Sequence, residues 1–227
     1  MEKTELDRML RAADIVEIEM IHGKYLACLD QLDFLGIYDL MAKDHPEISY
    51  EMVEDGAYIG PEAVGKYMQR VHDGNRNNPK KMRGWVGLQY LYTPRIVLNA
   101  DATRARAQWN QLSPHAMPVS PYPGNEKLCT AYWFIGKYDN EYVKVDEEWK
   151  LLKTHVIAFS RTPYDEGWIR NPDARRIYHP GAEPPQKGPR VYAYHSDATY
   201  TPNGTWNWGP HLPKDGLPDE EMGFGWE

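Results

Sequence analysis

The sequence predicts an α+β fold followed by an irregular C-terminal extension. Three helical segments come first and two long β-hairpins follow, an order that differs from the alternating strands and helices of parallel α/β sheets. After Ser160 the composition changes, because the last 67 residues hold ten of the 18 prolines and four of the eight tryptophans. Disordered segments are normally poor in aromatic residues, so we expect this extension to pack on its own domain or on a neighbouring subunit. The predicted parts are a domain over residues 1–160 and an extension over residues 161–227.

Three helices are predicted in the N-terminal part of the chain. Over Leu6–Leu32, apolar residues recur at spacings of three and four, as an amphipathic helix requires. A short second helix is predicted over Phe34–Met41. Pro61 and Glu62 are residue types favoured in the first turn of a helix, and this third helix is predicted to end near Val71.

The predicted strands are rich in β-branched and aromatic residues and are separated by turn residues. A first hairpin is predicted over Glu47–Ile59, with Asp55-Gly56 in its turn. Two longer hairpins follow, and their strand pairs are Trp85–Leu98 with Thr103–Leu112 and Leu128–Val145 with Trp149–Phe159. These segments together predict an antiparallel meander.

The composition is that of a globular protein, with 41% hydrophobic and 26% charged residues among 227. A net charge of −7 argues against sequence-independent binding of nucleic acid. No apolar run approaches the roughly 20 residues that cross a bilayer. The first residues, MEKTELDRML, contain no apolar signal segment. We therefore expect a cytoplasmic protein that binds neither nucleic acid nor membranes.

Tyrosine and tryptophan are unusually frequent, with 16 and 8 residues against 4 phenylalanines. Rings that carry a polar group are favoured where an apolar surface meets a ligand or a partner. The composition therefore predicts a surface that meets either an apolar or aromatic small molecule or a protein partner. The aromatic extension also suggests a homo-oligomer, either a dimer or a trimer.

Three segments resemble the SnoaL-like, nuclear transport factor 2-like superfamily. They are Ile18–Asp30 (IEMIHGKYLACLD), Glu54–Val64 (EDGAYIGPEAV) and Asp146–Lys153 (DEEWKLLK), and the resemblance spans roughly residues 6–160. It implies a cone-shaped α+β fold, in which three helices pack on a strongly curved antiparallel sheet and enclose a pocket. The superfamily includes dehydratases, isomerases, cyclases, formaldehyde-releasing lyases that act on aromatic dimers, and members without catalytic activity.

One branch of the superfamily is more similar than the others. The residues GKYLACLD resemble the first helix of the bile-acid dehydratases, where the tyrosine and the aspartate are catalytic, and these positions are Tyr25 and Asp30 here. The segment Tyr92–Ile96 resembles a strand of the same branch, but Tyr92 replaces the catalytic histidine. The arginine that the branch carries on its final strand has no counterpart near Ala158. The resemblance therefore implies a related but altered site.

Asp30 is the strongest candidate for a catalytic base. The negative end of the helix dipole and an apolar neighbourhood both disfavour its charge and are expected to raise the pKa of its carboxyl. Such a carboxylate can accept a proton near neutral pH. The structural alternative is a carboxylate that binds backbone amides of the following loop. Tyr25 lies about 140° from Asp30 around the helix, where it either flanks the same cavity or serves as a core aromatic residue.

Two further residues are candidates for catalysis. His155 shares a strand face with Lys153 and Ile157. If that face lines the pocket, His155 is a second base or the partner of Asp30; otherwise it is a packed structural histidine. Tyr92 can donate a hydrogen bond to an oxyanion that forms during the reaction.

Five side chains are expected to bind the substrate. His22 precedes Tyr25 by about one helical turn and is expected near the mouth of the pocket. Two arginines alternate along one strand, where they either meet a substrate anion or belong to a solvated outer face. The five residues are His22, Tyr90, Trp109, Arg104 and Arg106.

The leading hypothesis is a cofactor-independent lyase that acts on a hydrophobic, hydroxylated small molecule, aromatic or steroid-like. Asp30 would remove a proton while Tyr25 or Tyr92 assists the departure of water or formaldehyde. A double-bond isomerase, a non-catalytic binding module and a structural assembly protein are the alternatives. The spacings of histidine and acidic residues predict no metal site, and the leading hypothesis requires no cofactor.

Overall fold

Three helices pack on one side of a curved eight-stranded sheet. In this computed structural model, the described residues are 3–52, 56–76, 86–117 and 130–164. The helices are α1 (Lys3–Asp30), α2 (Phe34–Asp39) and α3 (Pro61–Arg76). The strands are β1 (Ser49–Met52), β2 (Gly56–Ile59), β3 (Val86–Gly87), β4 (Tyr90–Leu91), β5 (Arg95–Leu98), β6 (Arg104–Met117), β7 (Thr130–Val145) and β8 (Glu148–Pro163). The predicted α+β class is confirmed.

The sheet is mixed. Its strand order is β2-β1-β8-β7-β6-β3, and β4 and β5 pair with β6 beside β3. The long strands pair antiparallel, but β1 runs parallel to β8. The prediction of a wholly antiparallel sheet is therefore wrong at this one pair. The reason is that the chain after α2 is already aligned with β8, since Ala42 N–H donates to the Leu151 carbonyl at 2.9 Å.

Helix α1 ends in a Schellman motif. Asp33 N–H donates to the Cys28 carbonyl at 2.8 Å, and Leu32 N–H donates to the Leu29 carbonyl at 2.9 Å. Leu32 adopts the left-handed conformation with φ 55°. The helix therefore ends at Asp30, two residues before the predicted end, because Leu32 has the left-handed backbone conformation and cannot continue the right-handed helix. Asp33 then caps α2 by accepting a hydrogen bond from Gly36 N–H at 3.1 Å.

The predicted strand over Trp85–Leu98 is divided into β3, β4 and β5. Pro94 lies between β4 and β5, where a residue without an N–H cannot continue the ladder. All three short strands pair in sequence with β6. The last hairpin has the predicted turn, in which Asp146 (φ 50°) and Glu147 (φ 66°) both have positive φ.

Some predictions fall on residues that are not described. The turn at Asp55 lies outside the described residues, as do Trp85, Leu128 and residues 165–227 of the predicted extension. Strand β8 continues to Pro163, three residues beyond the predicted end of the domain. The separate extension stays a prediction.

The sheet has an inner face toward the helices and an outer face away from them. Trp109, Tyr138 and Val156 lie side by side in the register of β6, β7 and β8 and belong to the buried core. Because side chains alternate along a strand, Gln108 and Asp139 belong to the outer face. This division decides which predicted site residues lie near one another.

Candidate active site

Three tyrosines from different elements meet in the interior. The hydroxyl of Tyr25 on α1 lies 3.1 Å from the hydroxyl of Tyr50 on β1, and Tyr25 is also hydrogen-bonded to Tyr138 on β7. All three side chains are buried. Burial, followed by the charges of the neighbouring phenols, raises the pKa of Tyr25 well above its ordinary value. Burial also raises the pKa of Tyr138, so the hydroxyls of Tyr25 and Tyr138 are protonated at physiological pH, and together with Tyr50 they form the tyrosine cluster.

His22 lies beside the tyrosine cluster, one turn before Tyr25 on α1. Its ring stacks on Trp109, with centroids 3.9 Å apart and planes 9° apart. Burial lowers the pKa of His22 to about 3, so the imidazole is neutral. His22 was expected near the mouth of the pocket, but it is 2% exposed and lies in the interior.

The hydrogen bonds of His22 determine which nitrogen carries its proton. The Asn140 amide nitrogen lies 3.4 Å and the Tyr142 hydroxyl 3.2 Å from Nδ1. The Asn140 side-chain oxygen accepts the His155 backbone N–H at 3.3 Å, which fixes the amide orientation. Because the amide nitrogen can only donate, Nδ1 is the acceptor and Nε2 carries the proton. Nε2 is buried and has no hydrogen-bond partner among the described residues.

Asp30 occupies the last turn of α1, within the Schellman motif that ends the helix. Its Oδ1 atom is buried and has no hydrogen-bond partner among the described residues. Desolvation by burial raises the pKa of the Asp30 carboxyl, as predicted from its place at the end of an apolar helix. Its charge also contributes to the raised pKa of Tyr138. The carboxylate therefore lies within electrostatic range of the tyrosine cluster.

Among the predicted site residues, the structure brings Tyr25, His22 and Trp109 together and places Asp30 eight residues further along the same helix. Eight residues of α-helix span about 12 Å. The resulting interior has a carboxylate near one end, a neutral imidazole near the other, and phenols between them. This arrangement can remove a proton and donate another without a charged acid.

His155 does not face Asp30. It is the register partner of Glu51 on β1, and its Nε2 lies 3.9 Å from Glu51 Oε2. The neighbouring pair, Tyr50 and Thr154, faces inward, so alternation turns His155 to the outer face. The structure therefore does not support His155 as the partner of Asp30.

Tyr92 and Tyr90 are 56% and 54% exposed. Tyr90 is the register partner of Leu112, and the Tyr92 N–H donates to the Asn110 carbonyl. Both Leu112 and Asn110 lie at outward positions of β6, because Trp109 faces inward and side chains alternate. Both rings therefore point away from the tyrosine cluster. The reason is the register of the edge strands, which brings Leu91 rather than its neighbours to the core.

Arg104 and Arg106 also lie on the outer face, where each has an acidic partner. Arg106 binds Asp139 through two hydrogen bonds of 2.8 Å, and Arg104 binds Glu47 at 2.6 Å. Of the two alternatives considered for these arginines, the geometry favours the outer face over contact with a substrate anion.

Sequence reasoning missed Tyr50, Tyr138, Asn140 and Tyr142. The last three alternate along β7, and this period of two was available as a signal for one common face. The pattern did not show which of the two strand faces is turned toward the helices.

The described residues contain no group of three or more His, Cys, Asp or Glu side chains that could hold a metal ion. None of their helices is long and apolar enough to cross a membrane.

The sequence matches the family model described as a SnoaL-like domain over residues 10–155, well over half of the chain. The chain belongs to the SnoaL-like family. No curated protein matches its sequence.

Solved structures agree on the fold of this SnoaL-like protein. One, from Novosphingobium aromaticivorans and provisionally assigned as a scytalone dehydratase, is 15% identical, with a TM-score of 0.51 over 80% of this chain and 97% of the other. A hexachlorocyclohexane dehydrochlorinase, LinA type 2, is 19% identical, with a TM-score of 0.50 over 70% and 92%. A protein of Kribbella flavida is 14% identical, with a TM-score of 0.51 over 67% and 95%. These similarities confirm the nuclear transport factor 2-like fold.

Proposed function

We propose that this SnoaL-like protein is a cofactor-independent lyase that acts on a hydrophobic, hydroxylated aromatic or steroid-like molecule and releases water or formaldehyde. The observation that carries the proposal is the buried, unpartnered carboxylate oxygen of Asp30 near neutral phenols. A site that only holds an apolar ligand gains nothing from a desolvated carboxylate, whereas a base gains proton affinity from it.

In the proposed dehydration, Asp30 removes a proton from the carbon next to the one that bears the hydroxyl group. The electron pair of the broken C–H bond forms the double bond as the C–O bond breaks. Tyr25 donates its proton to the departing oxygen, which leaves as water, and its hydrogen bonds to Tyr50 and Tyr138 hold the Tyr25 hydroxyl in place before the transfer. Return of the proton from Asp30 to Tyr25 through solvent restores the site.

Release of formaldehyde requires the same two groups. When a hydroxymethyl group replaces the acidic hydrogen, Asp30 removes the proton of its hydroxyl. The C–C bond then breaks to release formaldehyde, and its electron pair takes the proton of Tyr25 to form a new C–H bond, so that the product is lighter by formaldehyde alone. The substrate therefore decides between the two outcomes, and the protein supplies one base and one acid in both.

The aromatic interior supports the choice of substrate class. Trp109, Tyr138 and Tyr142 surround His22, and rings of this kind favour a flat apolar ligand. The protonated Nε2 of His22 adds one neutral donor for a substrate oxygen. Two proteins of similar fold bear the names of elimination enzymes, a dehydratase and a dehydrochlorinase, which is consistent with proton abstraction in this interior.

The test is mass spectrometry of the full chain incubated, without added cofactors, with steroid alcohols, diaryl propanoids and other aromatic alcohols. We expect a product lighter by water or by formaldehyde, and a loss of turnover of about 100- to 10,000-fold in Asp30→Asn. His155→Gln is the matched control, because it changes the other predicted base on the outer face, and it should retain turnover.

Two results would count against the lyase. A compound that is retained unchanged, with equal affinity in wild type and Asp30→Asn, would favour the non-catalytic binding module. A product of unchanged mass with a shifted double bond would favour the isomerase, since that reaction uses the same base.

A further inference from the structure

A second polar group lies on the inner face of the sheet. It consists of Gln89, Gln111, Ser113, His115 and Tyr132, which we call the glutamine cluster. Gln111 donates to Gln89 and also to Ser113 Oγ at 2.8 Å, and the Ser113 hydroxyl donates to Gln89 Oε1 at 2.9 Å. His115 Nε2 lies 3.4 Å from the Gln89 amide nitrogen, and its Nδ1 lies 3.4 Å from the Tyr132 hydroxyl.

The glutamine cluster continues the inner face that carries Trp109. Gln111, Ser113 and His115 are the next three inward positions of β6, and Tyr132 is the third inward position from Tyr138 on β7. At about 3.4 Å per residue, Gln111 lies roughly 7 Å and Ser113 roughly 14 Å along the strand from Trp109. A ring beside Trp109 can therefore place its hydroxyl group at Gln111, and a second, linked ring leaves the reacting end of the molecule free to lie elsewhere in the interior.

One acceptor in the glutamine cluster has no donor. Gln111 is 4% exposed, and its Oε1 atom is buried without a hydrogen-bond partner among the described residues. The adjacent donors are committed to other acceptors, because the Ser113 hydroxyl and the Gln111 amide nitrogen both bond elsewhere. A buried acceptor left without a donor is costly, so the site favours a ligand that supplies one.

The chemistry of the glutamine cluster selects a neutral hydroxyl group on a ring. Burial lowers the pKa of His115 to about 4, so the cluster contains no cation to pair with a carboxylate ligand at neutral pH. The His115 and Tyr132 rings stack with centroids 5.0 Å apart, which provides an aromatic wall. Gln89, His115 and Tyr132 are partly exposed, so a ligand can approach from this end.

We propose that the glutamine cluster binds the hydroxyl group on the distal ring of a two-ring substrate, with Gln111 Oε1 as the acceptor. This inference rests on the proposed function, since it places the reacting end of the same molecule at Asp30. It deepens that function by narrowing the substrate class to elongated, neutral phenols or alcohols.

Binding of two matched probes to the full chain tests the inference. 4-Hydroxybiphenyl and 4-methoxybiphenyl share a two-ring frame, but only the first can donate a hydrogen bond. We expect wild type to bind the hydroxyl probe about three- to tenfold more tightly by calorimetric titration, the difference that one hydrogen bond makes. Gln111→Met should lose this preference, whereas Gln108→Met, the same change on the outer face of β6, should retain it.

The inference would be overturned if wild type bound the two probes with equal affinity or bound neither of them. This comparison uses wild type alone, so it holds even if Gln111→Met fails to fold. A preference that survives in Gln111→Met but disappears in Asp30→Asn would also overturn it, because Asp30 would then be the acceptor. The proposed lyase is tested separately by product formation. Turnover without a probe preference rejects only the glutamine cluster, and a Gln111-dependent preference without turnover rejects only the lyase.

Discussion

The two faces of the sheet differ in how their polar side chains are satisfied. On the outer face the arginines are paired with carboxylates, as in Arg106 with Asp139 at 2.8 Å and Arg104 with Glu47 at 2.6 Å. On the helix-facing side, His22 Nε2 and Gln111 Oε1 are buried without partners among the described residues, and the buried Oδ1 of Asp30 at the end of α1 is in the same state. Unpaired buried groups reduce stability, and proteins retain them chiefly where function requires them. The difference supports the proposal that the interior carries the chemistry, and it predicts that the ion pairs of the outer face contribute only to stability.

The largest effect on stability is expected from breaking the outer pair at Asp139. Asp139→Ala leaves Arg106 without its bidentate partner on a nearly buried surface and should lower the free energy of unfolding by about 3 kcal/mol. Chemical denaturation measures this loss. Replacing both residues by apolar ones, as in Arg106→Met with Asp139→Leu, should restore most of it. A loss of turnover in folded Asp139→Ala would contradict the division between the two faces.

Tyr25→Phe makes the corresponding test of the interior. Removing the hydroxyl that bonds to Tyr50 and Tyr138 should reduce turnover about 100-fold, because the departing oxygen loses its proton donor. Steady-state kinetics on a substrate found by the mass-spectrometric screen provides the measurement. Tyr92→Phe is the matched control on the exposed outer side and should have no effect. If Tyr92→Phe were the more damaging variant, the family position of Tyr92 would carry the chemistry instead.

Acid should destabilise the protein through its interior histidines. The folded pKa of His22 is about 3 and that of His115 about 4, while both are near 6.5 when unfolded. Between the folded and the unfolded pKa, only the unfolded state binds a proton at each histidine. The free energy of unfolding is therefore highest above pH 6.5 and falls as the pH decreases below 6.5. Each histidine contributes a slope of about 1.4 kcal/mol per pH unit. His22→Phe should remove one such slope from denaturation curves between pH 6 and 4.5, and an unchanged slope would show that His22 is accessible to protons.

Asp30→Asn should stabilise the protein at neutral pH while it abolishes turnover. Burial raises the pKa of the Asp30 carboxyl, so the folded state binds its proton more tightly than the unfolded state. Above its raised pKa, the ionised carboxylate therefore lowers the free energy of unfolding. This loss vanishes once the pH falls below the pKa of the unfolded state, near 3.8. The melting temperature should rise at pH 7 and remain unchanged at pH 3. A lower melting temperature at pH 7 would support the structural role of Asp30.

The smallest effect is expected at the β7–β8 turn, far from the interior. Glu147 adopts φ 66°, which costs free energy for a residue with a side chain, and glycine is favoured there in a two-residue hairpin. Glu147→Gly should raise the free energy of unfolding by about 0.5 kcal/mol, with turnover unchanged. Thermal unfolding measures the gain. Destabilisation would mean that the Glu147 side chain makes a contact of greater value than the relieved strain.

The sequence by itself determined the local elements of this protein. Periodicity and turn residues located the three helices, the hairpin before α3 and the turn at Asp146, because these features depend on neighbours a few positions apart. The same local reasoning placed Asp30 at the apolar end of α1, where the structure confirms its raised pKa. The split of one predicted strand around Pro94 could also have been anticipated, because proline removes a ladder donor.

Only the tertiary structure decided which side of each strand faces the helices. Alternation puts Arg106 and Trp109 on different faces of the sheet, and it does the same for His155 and Thr154. The alternation is identical whichever face is buried, so it does not reveal the inner face. The choice depends on the register of distant strands, including the parallel pairing of β1 with β8, and on the packing of α1. That packing brings Tyr50 and Tyr138 to Tyr25 and turns His155, Tyr92 and both arginines outward. Contacts between residues far apart in sequence thus assembled the site from residues that sequence alone could nominate but not orient.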